Sequence, residues 1–186
     1  MIRSLVESAG PKMEKAVAHF GEDLKSLRTG RASVALLDGV MVELYGAIQP
    51  LKAVASVTTP DARSLAVTPW DKTALGPIEK AIRENQALGL NPSNDGNVIR
   101  MNIPPLTEER RKEIVKSLGG KVEDCRIALR NIRHDMLNEV KKLEKAKEAT
   151  SDDVKFAETE LNKKIDQFQR KIDELEAAKA REIMEV

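Results

Sequence analysis

Three arginines, Arg126, Arg130 and Arg133, are spaced four and three residues apart in the second half of the chain. In an α-helix this spacing places them in one narrow sector, because successive residues turn by about 100°. A guanidinium group presents a planar fork of donors that matches the oxygens of a phosphate group. The row could therefore bind phosphate groups. It could equally be a solvated basic flank that is paired with nearby acids, and helical periodicity does not choose between the two.

The helix that carries these arginines is predicted over residues 106–147. Thr107 followed by Glu108 and Glu109 is typical of a helix start. At about 1.5 Å per residue the helix would extend about 60 Å, so it must pack against long partners. Gly119-Gly120 predicts a soft but continuous stretch. Its apolar positions recur every three or four residues, at Ile114, Leu118, Val122, Cys125, Leu129, Ile132, Met136, Val140 and Leu143.

Two further amphipathic segments flank the chain. Residues 1–29 carry the same apolar period across Gly10-Pro11, which favours one kinked helix over two short ones. The sequence Thr-Ser-Asp-Asp at 150–153 predicts the start of a last helix that continues to Ile183. Three long amphipathic helices predict an elongated three-helix bundle.

The segment between the first two helices lacks the long helical period and has short strand-like runs separated by turn residues. Strands are predicted near residues 40–44, 51–58, 65–68 and 98–103, with turns at 45–46 and 94–96, and a short helix at 74–88 has Pro77 in its first turn. The predicted fold is α+β: a bundle of residues 1–30 and 105–186, with an inserted small β-rich α/β domain of residues 31–104. Two short links would form a hinge at Arg31, Ala32, Pro104 and Pro105.

Charge is unevenly distributed along the chain. The formal net charge is only +1, which argues against a protein that coats nucleic acid indiscriminately. Residues 106–148 hold twelve basic and nine acidic residues, a net charge of +3, whereas residues 149–186 hold seven and ten, a net charge of −3. An anionic partner is therefore expected to meet the long central helix.

No catalytic or metal-binding constellation is evident. The chain has two histidines and no Gly-x-Ser-x-Gly, Gly-x-Gly-x-x-Gly or phosphate-loop motif, so no enzyme activity, metal or cofactor is predicted. Cys125, the only cysteine, is expected to be a buried apolar side chain. Trp70 could be a recognition aromatic, but packing inside the small domain is the favoured interpretation. No apolar run is long enough to span a bilayer, and a cytoplasmic protein is expected.

Four stretches together resemble the bacterial ribosome recycling factor family, and the likeness covers essentially the whole chain in order and spacing. They are LRTGRA at 27–32, LGLNP at 88–92, PPLTEERRK at 104–112 and RIALRNIR at 126–133. His134 departs from the family pattern, since many members carry an arginine there. Histidine is mostly neutral near pH 7, so the basic flank would be weaker at that end.

The resemblance implies an L-shaped protein that acts after translation termination. It would bind the post-termination ribosome through large-subunit ribosomal RNA, and elongation factor G with GTP would then drive separation of the subunits and release of mRNA. Arg111, Arg130 and Arg133 match family positions associated with ribosome binding, and Arg28, Arg31, Arg110 and Arg126 are further candidates. The resemblance implies no cofactor and no membrane, and we expect a monomer.

Two other functions remain open from the sequence. A coiled-coil adaptor or holdase would bind proteins through its helices and would show no saturable binding to empty ribosomes. A hydrolase with a site in the α/β domain would turn over substrate without elongation factor G.

Overall fold

The computed structural model of the chain describes residues 1–185, which fold into two compact units. One unit combines residues 1–27 with the chain from Glu109 onward, and the other spans Arg28–Glu108. The predicted domain limits at 30/31 and 104/105 stay a prediction. In chain order the elements are α1 (Ile2–Lys25), β1 (Met41–Leu44), β2 (Ala47–Pro50), α2 (Leu51–Val54), β3 (Ala55–Asp61), β4 (Ser64–Pro69), α3 (Leu75–Glu84), β5 (Ser93–Asn94), β6 (Ile99–Asn102), α4 (Glu108–Lys145) and α5 (Ser151–Met184).

The first unit is a bundle of α1, α4 and α5. Cys125 Sγ lies 3.7 Å from the carbonyl oxygen of Ala16, and Ser8 Oγ lies 3.7 Å from Met136 Sδ, so α1 and α4 run antiparallel. Each helix buries one apolar stripe, as the periodicity predicted. The buried apolar residues include Val6, Met13 and Phe20 of α1, Leu118, Leu129 and Val140 of α4, and Leu161, Ile165 and Ile172 of α5.

Both predicted weak points lie inside continuous helices. Pro11 lies within α1. Its neighbours Ala9 and Met13 are fully buried, so core packing holds the helix together on both sides of the proline. Gly119 and Gly120 lie within the 38-residue α4, between the buried Leu118 and Val122. Packing of the apolar stripe therefore outweighs the low helix propensity of glycine, which is about 1 kcal/mol per residue relative to alanine.

The start of α5 is fixed by a reciprocal cap. Thr150 Oγ1 accepts a hydrogen bond from the Asp153 amide at 3.2 Å, and Asp153 Oδ2 accepts one from the Thr150 amide at 2.9 Å. These bonds satisfy two backbone donors that would otherwise lack a partner at the helix start. The predicted N-terminal signal at 150–153 is confirmed.

The second unit is built on a four-stranded antiparallel sheet in the order β3-β4-β6-β5 and a separate β1-β2 hairpin. Helix α3 contributes Ile78 and Ile82 to a core that also contains Leu65 and Ile99. The sequence prediction missed β2, and it extended a strand through residues 51–54, where the chain makes the helical turn α2. This α+β architecture, a helical bundle and a small antiparallel sheet unit, confirms the predicted fold class.

Candidate nucleic-acid interface

The predicted arginine row lies along one flank of α4. The side chains of Arg126 and Arg130 are 34 % and 56 % exposed, and Arg133 is partly exposed. The core-facing residues Val122 and Leu129 lie on the adjacent side of the helix. The three guanidinium groups are therefore held by a rigid helix and remain accessible from solvent. We call Arg126, Arg130 and Arg133 the arginine flank.

Arg126 joins the arginine flank to α5. Its Nη2 lies 2.8 Å from Asp173 Oδ1 and 4.0 Å from Glu176 Oε2. Because two acids share this one cation, its charge is largely compensated within the bundle. Arg126 thus has a local structural contact that does not depend on any partner.

Arg130 and Arg133 are less compensated. Arg130 Nη2 binds Glu123 Oε1 at 2.5 Å, and both side chains are more than half exposed. Exposed ion pairs of this kind contribute about 0–1 kcal/mol, so a phosphate can replace the carboxylate at little cost. Arg133 donates from Nε to the amide oxygen of Asn162 at 2.7 Å. Since Asn162 is neutral, this bond orients the guanidinium and leaves its charge intact.

Arg111 is the one predicted site arginine that the fold buries. The residue is only 8 % exposed, and its Nη1 donates to the carbonyl oxygens of Ile183 at 2.9 Å and Glu185 at 2.7 Å. The last carbonyl groups of a helix lack hydrogen-bond donors within their own helix. At the end of α5, Arg111 is the donor that satisfies two such carbonyl oxygens. Its burial indicates a structural role, and its predicted contact with RNA stays a prediction. Arg110, its neighbour, is exposed and pairs with Glu113 at 2.7 Å.

Arg28 and Arg31 belong to the other unit. Arg28 Nη2 donates to the carbonyl oxygens of Ala87 at 2.5 Å and Leu88 at 2.7 Å, and so fixes the loop that follows α3. Arg31 is exposed. Neither residue lies on α4, the helix that carries the arginine flank.

The residues predicted to form the hinge border a tightly held turn. The Ala32 amide donates to the Ala62 carbonyl at 2.8 Å, and the Ile103 amide donates to the Arg63 carbonyl at 2.7 Å. Both links are thus attached to the turn between β3 and β4. Gly30 has a φ of +81°, which favours glycine. Of the four predicted hinge residues, Ala32 is anchored to the sheet unit, and Pro104 and Pro105 follow the last anchored residue.

Sequence reasoning missed several residues that shape this region. Asn162, Asp173 and Glu176 on α5 position Arg133 and Arg126, but the antiparallel register of α4 and α5 was needed to identify them. A second basic surface was also missed. Lys12, Lys141, Lys142 and Lys145 line an open groove of about 690 Å³ together with Asp135 and Glu139. The hydrogen bond that Lys142 donates to Glu139 raises the pKa of this lysine.

Other predictions about chemistry have clear outcomes. Cys125 is buried, and burial raises the pKa of its thiol. Trp70 is 70 % exposed, so the expectation that it packs inside the small domain is wrong. Within residues 1–185, no group of three or more His, Cys, Asp and Glu side chains has the arrangement of a metal site. No helix in that same range combines the length and apolar character required to cross a membrane.

Comparison with known proteins gives a consistent result. The sequence model of the family described as ribosome recycling factor matches residues 20–184. The ribosome-recycling factors of Bacillus licheniformis and Symbiobacterium thermophilum are 48 % and 46 % identical over 186 residues, which is all of this chain and all of each relative.

Two solved structures are also similar to the chain. The solution structure of a ribosome recycling factor has a TM-score of 0.77 at 38 % identity, and the match covers 100 % of this chain and 98 % of the other. The second is the Thermus thermophilus ribosome recycling factor, described with Escherichia coli elongation factor G bound to the E. coli post-termination complex. It has a TM-score of 0.65 at 45 % identity, with both chains fully covered.

Proposed function

The chain belongs to the ribosome recycling factor family, and we propose on that premise that it binds the post-termination ribosome. With elongation factor G and GTP it promotes dissociation of the ribosome into subunits and release of mRNA. The family is one of translation factors, and the chain is not an enzyme. GTP is consumed by elongation factor G, and the chain needs no cofactor of its own.

The observation that carries this proposal is the state of Arg130 and Arg133. Both guanidinium groups reach solvent from a helix of 38 residues, and their partners are one exposed acid and one neutral amide. Folded RNA presents irregular ridges of phosphates that are recognised by shape and charge. A rigid helix with spaced guanidinium groups supports binding to such ridges on the large subunit.

The other predicted arginines have graded roles in this proposal. Arg126 contributes through its bonds to α5, which hold the arginine flank at a constant distance from that helix. Arg110, exposed near the start of α4, adds a further cation. Arg111 acts indirectly, because it fixes the end of α5. Arg28 would stabilise the sheet unit through its bonds to the loop after α3, and Arg31 would be an exposed cation on the link to that unit.

We propose that the hinge between the two units lies outside the anchored residues Ala32 and Ile103. The amides of both are hydrogen-bonded to the turn at 62–63 and would move with the sheet unit. Arg28 is also bonded to the sheet unit, so the flexible positions would be the residues before Arg28 on one link and residues 104–107 on the other. Rotation about these two links would let elongation factor G move the sheet unit while the bundle stays on RNA. We further propose that the chain acts as a monomer in the cytoplasm.

The experiment that tests the function is a polysome-breakdown assay with purified components. Polysomes stalled after termination are incubated with elongation factor G and GTP, with this chain added or omitted, and sedimentation gives the yield of subunits. We expect breakdown only when chain, factor and GTP are all present. Breakdown that is independent of the chain, or turnover by the chain without elongation factor G, would reject the proposal.

A further inference from the structure

Asn162 differs in charge from the other partners of the arginine flank. Arg126 faces two carboxylates of α5, at 2.8 Å and 4.0 Å, and Arg130 is paired with one carboxylate of its own helix. Arg133 instead donates from Nε to the amide oxygen Oδ1 of Asn162 at 2.7 Å. The compensation of positive charge by acids therefore decreases along α4 towards Arg133.

No other acid compensates Arg133 in the part of the chain that the structure describes. On α5, Glu158 and Asp166 lie one turn to either side of Asn162, and neither is bonded to Arg133. In a helix, ion pairs form between residues three or four positions apart. The positions at that spacing from Arg133 in α4 hold no acid: they are Leu129, Arg130, Met136 and Leu137.

The hydrogen bond to Asn162 uses only one edge of the guanidinium group. A guanidinium has five N–H donors, one on Nε and two on each Nη atom. Asn162 accepts from Nε, and within residues 1–185 the donors on Nη1 and Nη2 of the partly exposed Arg133 make no hydrogen bond. Two parallel N–H donors can bind two oxygens of one phosphate. Asn162 therefore restricts the rotation of Arg133 without occupying the edge that a phosphate needs.

We propose that Asn162 is a positioning residue for RNA binding, and that its neutrality makes Arg133 the strongest phosphate contact of the arginine flank. This inference rests on the proposed function, in which the arginine flank binds large-subunit ribosomal RNA. The ligand is a phosphodiester group of that RNA, and Asn162 acts on it through Arg133. The contribution to binding then decreases from Arg133 to Arg130 to Arg126, as compensation by acids increases.

The sharpest variant is Asn162→Asp, which keeps the shape of the side chain and an oxygen that accepts from Arg133. It converts the hydrogen bond into an ion pair, so a phosphate must compete with a carboxylate. Gln167→Glu is the matched control. It adds the same charge at an exposed position of the same helix, about 140° around the axis from Asn162. A second variant, Asn162→Ala, removes the bond and leaves the charge of Arg133 uncompensated.

Ribosome binding is measured for each variant by sedimentation at several salt concentrations, together with thermal melting. We expect Asn162→Asp to weaken binding about fivefold to tenfold and to reduce the salt slope by up to about one unit. Its melting temperature should equal or exceed that of the wild type, because an ion pair replaces a neutral bond. Asn162→Ala should weaken binding about threefold at an unchanged salt slope, since only the orientation of Arg133 is lost. Gln167→Glu should match the wild type.

A double-mutant cycle tests whether Asn162 acts through Arg133. In the Arg133→Ala background, Asn162→Asp should weaken binding no more than Gln167→Glu does, because the side chain that it orients is gone. Single alanine variants of the arginine flank should lose affinity in the order Arg133, Arg130, Arg126, with the largest loss first.

Four results overturn the inference. Wild-type binding by Asn162→Asp, when Arg133→Ala binds weakly, would make the neutral partner irrelevant and leave the proposed function standing. An equal loss with and without Arg133 would indicate a general electrostatic effect. A fall in melting temperature that accompanies the loss of binding in both Asn162 variants would make the residue structural. A wild-type chain that does not bind post-termination ribosomes would reject the proposed function as well.

Discussion

Replacing Arg111 by alanine should destabilise the bundle and should affect ribosome binding only through that loss. The side chain donates from Nη1 to two carbonyl oxygens at the end of α5, and it is 92 % enclosed on the basis of its 8 % exposure. Hydrogen bonds made by a charged group contribute about 1.5–3 kcal/mol each. Water can reach the freed carbonyls in part, so we expect a net loss of about 2–4 kcal/mol in the free energy of unfolding.

For a chain of this length, a loss of that size lowers the melting temperature by about 5–15 °C. Calorimetry and urea unfolding measure it, and Arg110→Ala is the matched control. Arg110 is adjacent in sequence and exposed, and its pair with Glu113 contributes about 0–1 kcal/mol. Ribosome affinity of the Arg111→Ala variant, measured well below its melting temperature, should stay near that of the wild type. An unchanged melting temperature together with lost ribosome binding would refute this reasoning and return Arg111 to the RNA interface.

Three further predictions follow from the bundle. The double variant Arg130→Ala/Arg133→Ala should bind ribosomes more weakly and reduce the salt slope of binding by about one unit per lost phosphate contact, while its free energy of unfolding changes by about 0.5 kcal/mol or less. A collapse in its melting temperature would instead make these arginines structural. Gly119→Ala and Gly120→Ala should each stabilise the protein by up to about 1 kcal/mol, because both glycines are helical and an added Cβ meets no atom within 4 Å; a lower melting temperature would reveal strain or crowding that the structure does not show. The Thr150 amide and hydroxyl lower the pKa of Asp153, so its stabilising effect is present above its unfolded pKa and is lost as the pH falls through the lower folded value. Asp153→Asn should therefore flatten the acid limb of a stability profile below about pH 4, and an unchanged limb would contradict the role of the cap.

The bundle was predictable because the apolar pattern that defines each helix is repeated over many turns. Buried apolar residues recur with the helical period, as at Val122, Leu129 and Val140. The same period continues across Pro11 in α1 and across Gly119-Gly120 in α4. The start of α5 was predictable for a different reason. Its signal is local, since the Thr150 side chain and Asp153 are three residues apart.

The sheet unit was less predictable because its elements are short. Residues 47–54 divide into a four-residue strand and a four-residue helical turn, and neither is long enough to establish a period. Trp70 lies just after β4, where burial depends on which elements cover it and not on alternation along the strand. Its exposure therefore required the tertiary structure.

The candidate site was predicted in part. The positions of Arg126, Arg130 and Arg133 on one flank follow from spacing alone, but the identity of their partners required the register of α5. The burial of Arg111 did have a signal in the sequence. It precedes Ile114 by three residues and Leu118 by seven, which places it on the core face of α4. The positive charge of its side chain nevertheless led to the prediction that Arg111 is exposed.

The most direct test of the central claim is a site-specific crosslink from the arginine flank to the ribosome. A photoreactive residue replaces His134, which is exposed, follows Arg133 and lies one turn after Arg130. The control places the same group at Glu14, an exposed position on α1. We predict that the His134 position crosslinks to large-subunit ribosomal RNA, that excess unlabelled chain abolishes the product, and that the control gives little. Crosslinks confined to ribosomal proteins, or equal RNA crosslinking from both positions, would contradict the account.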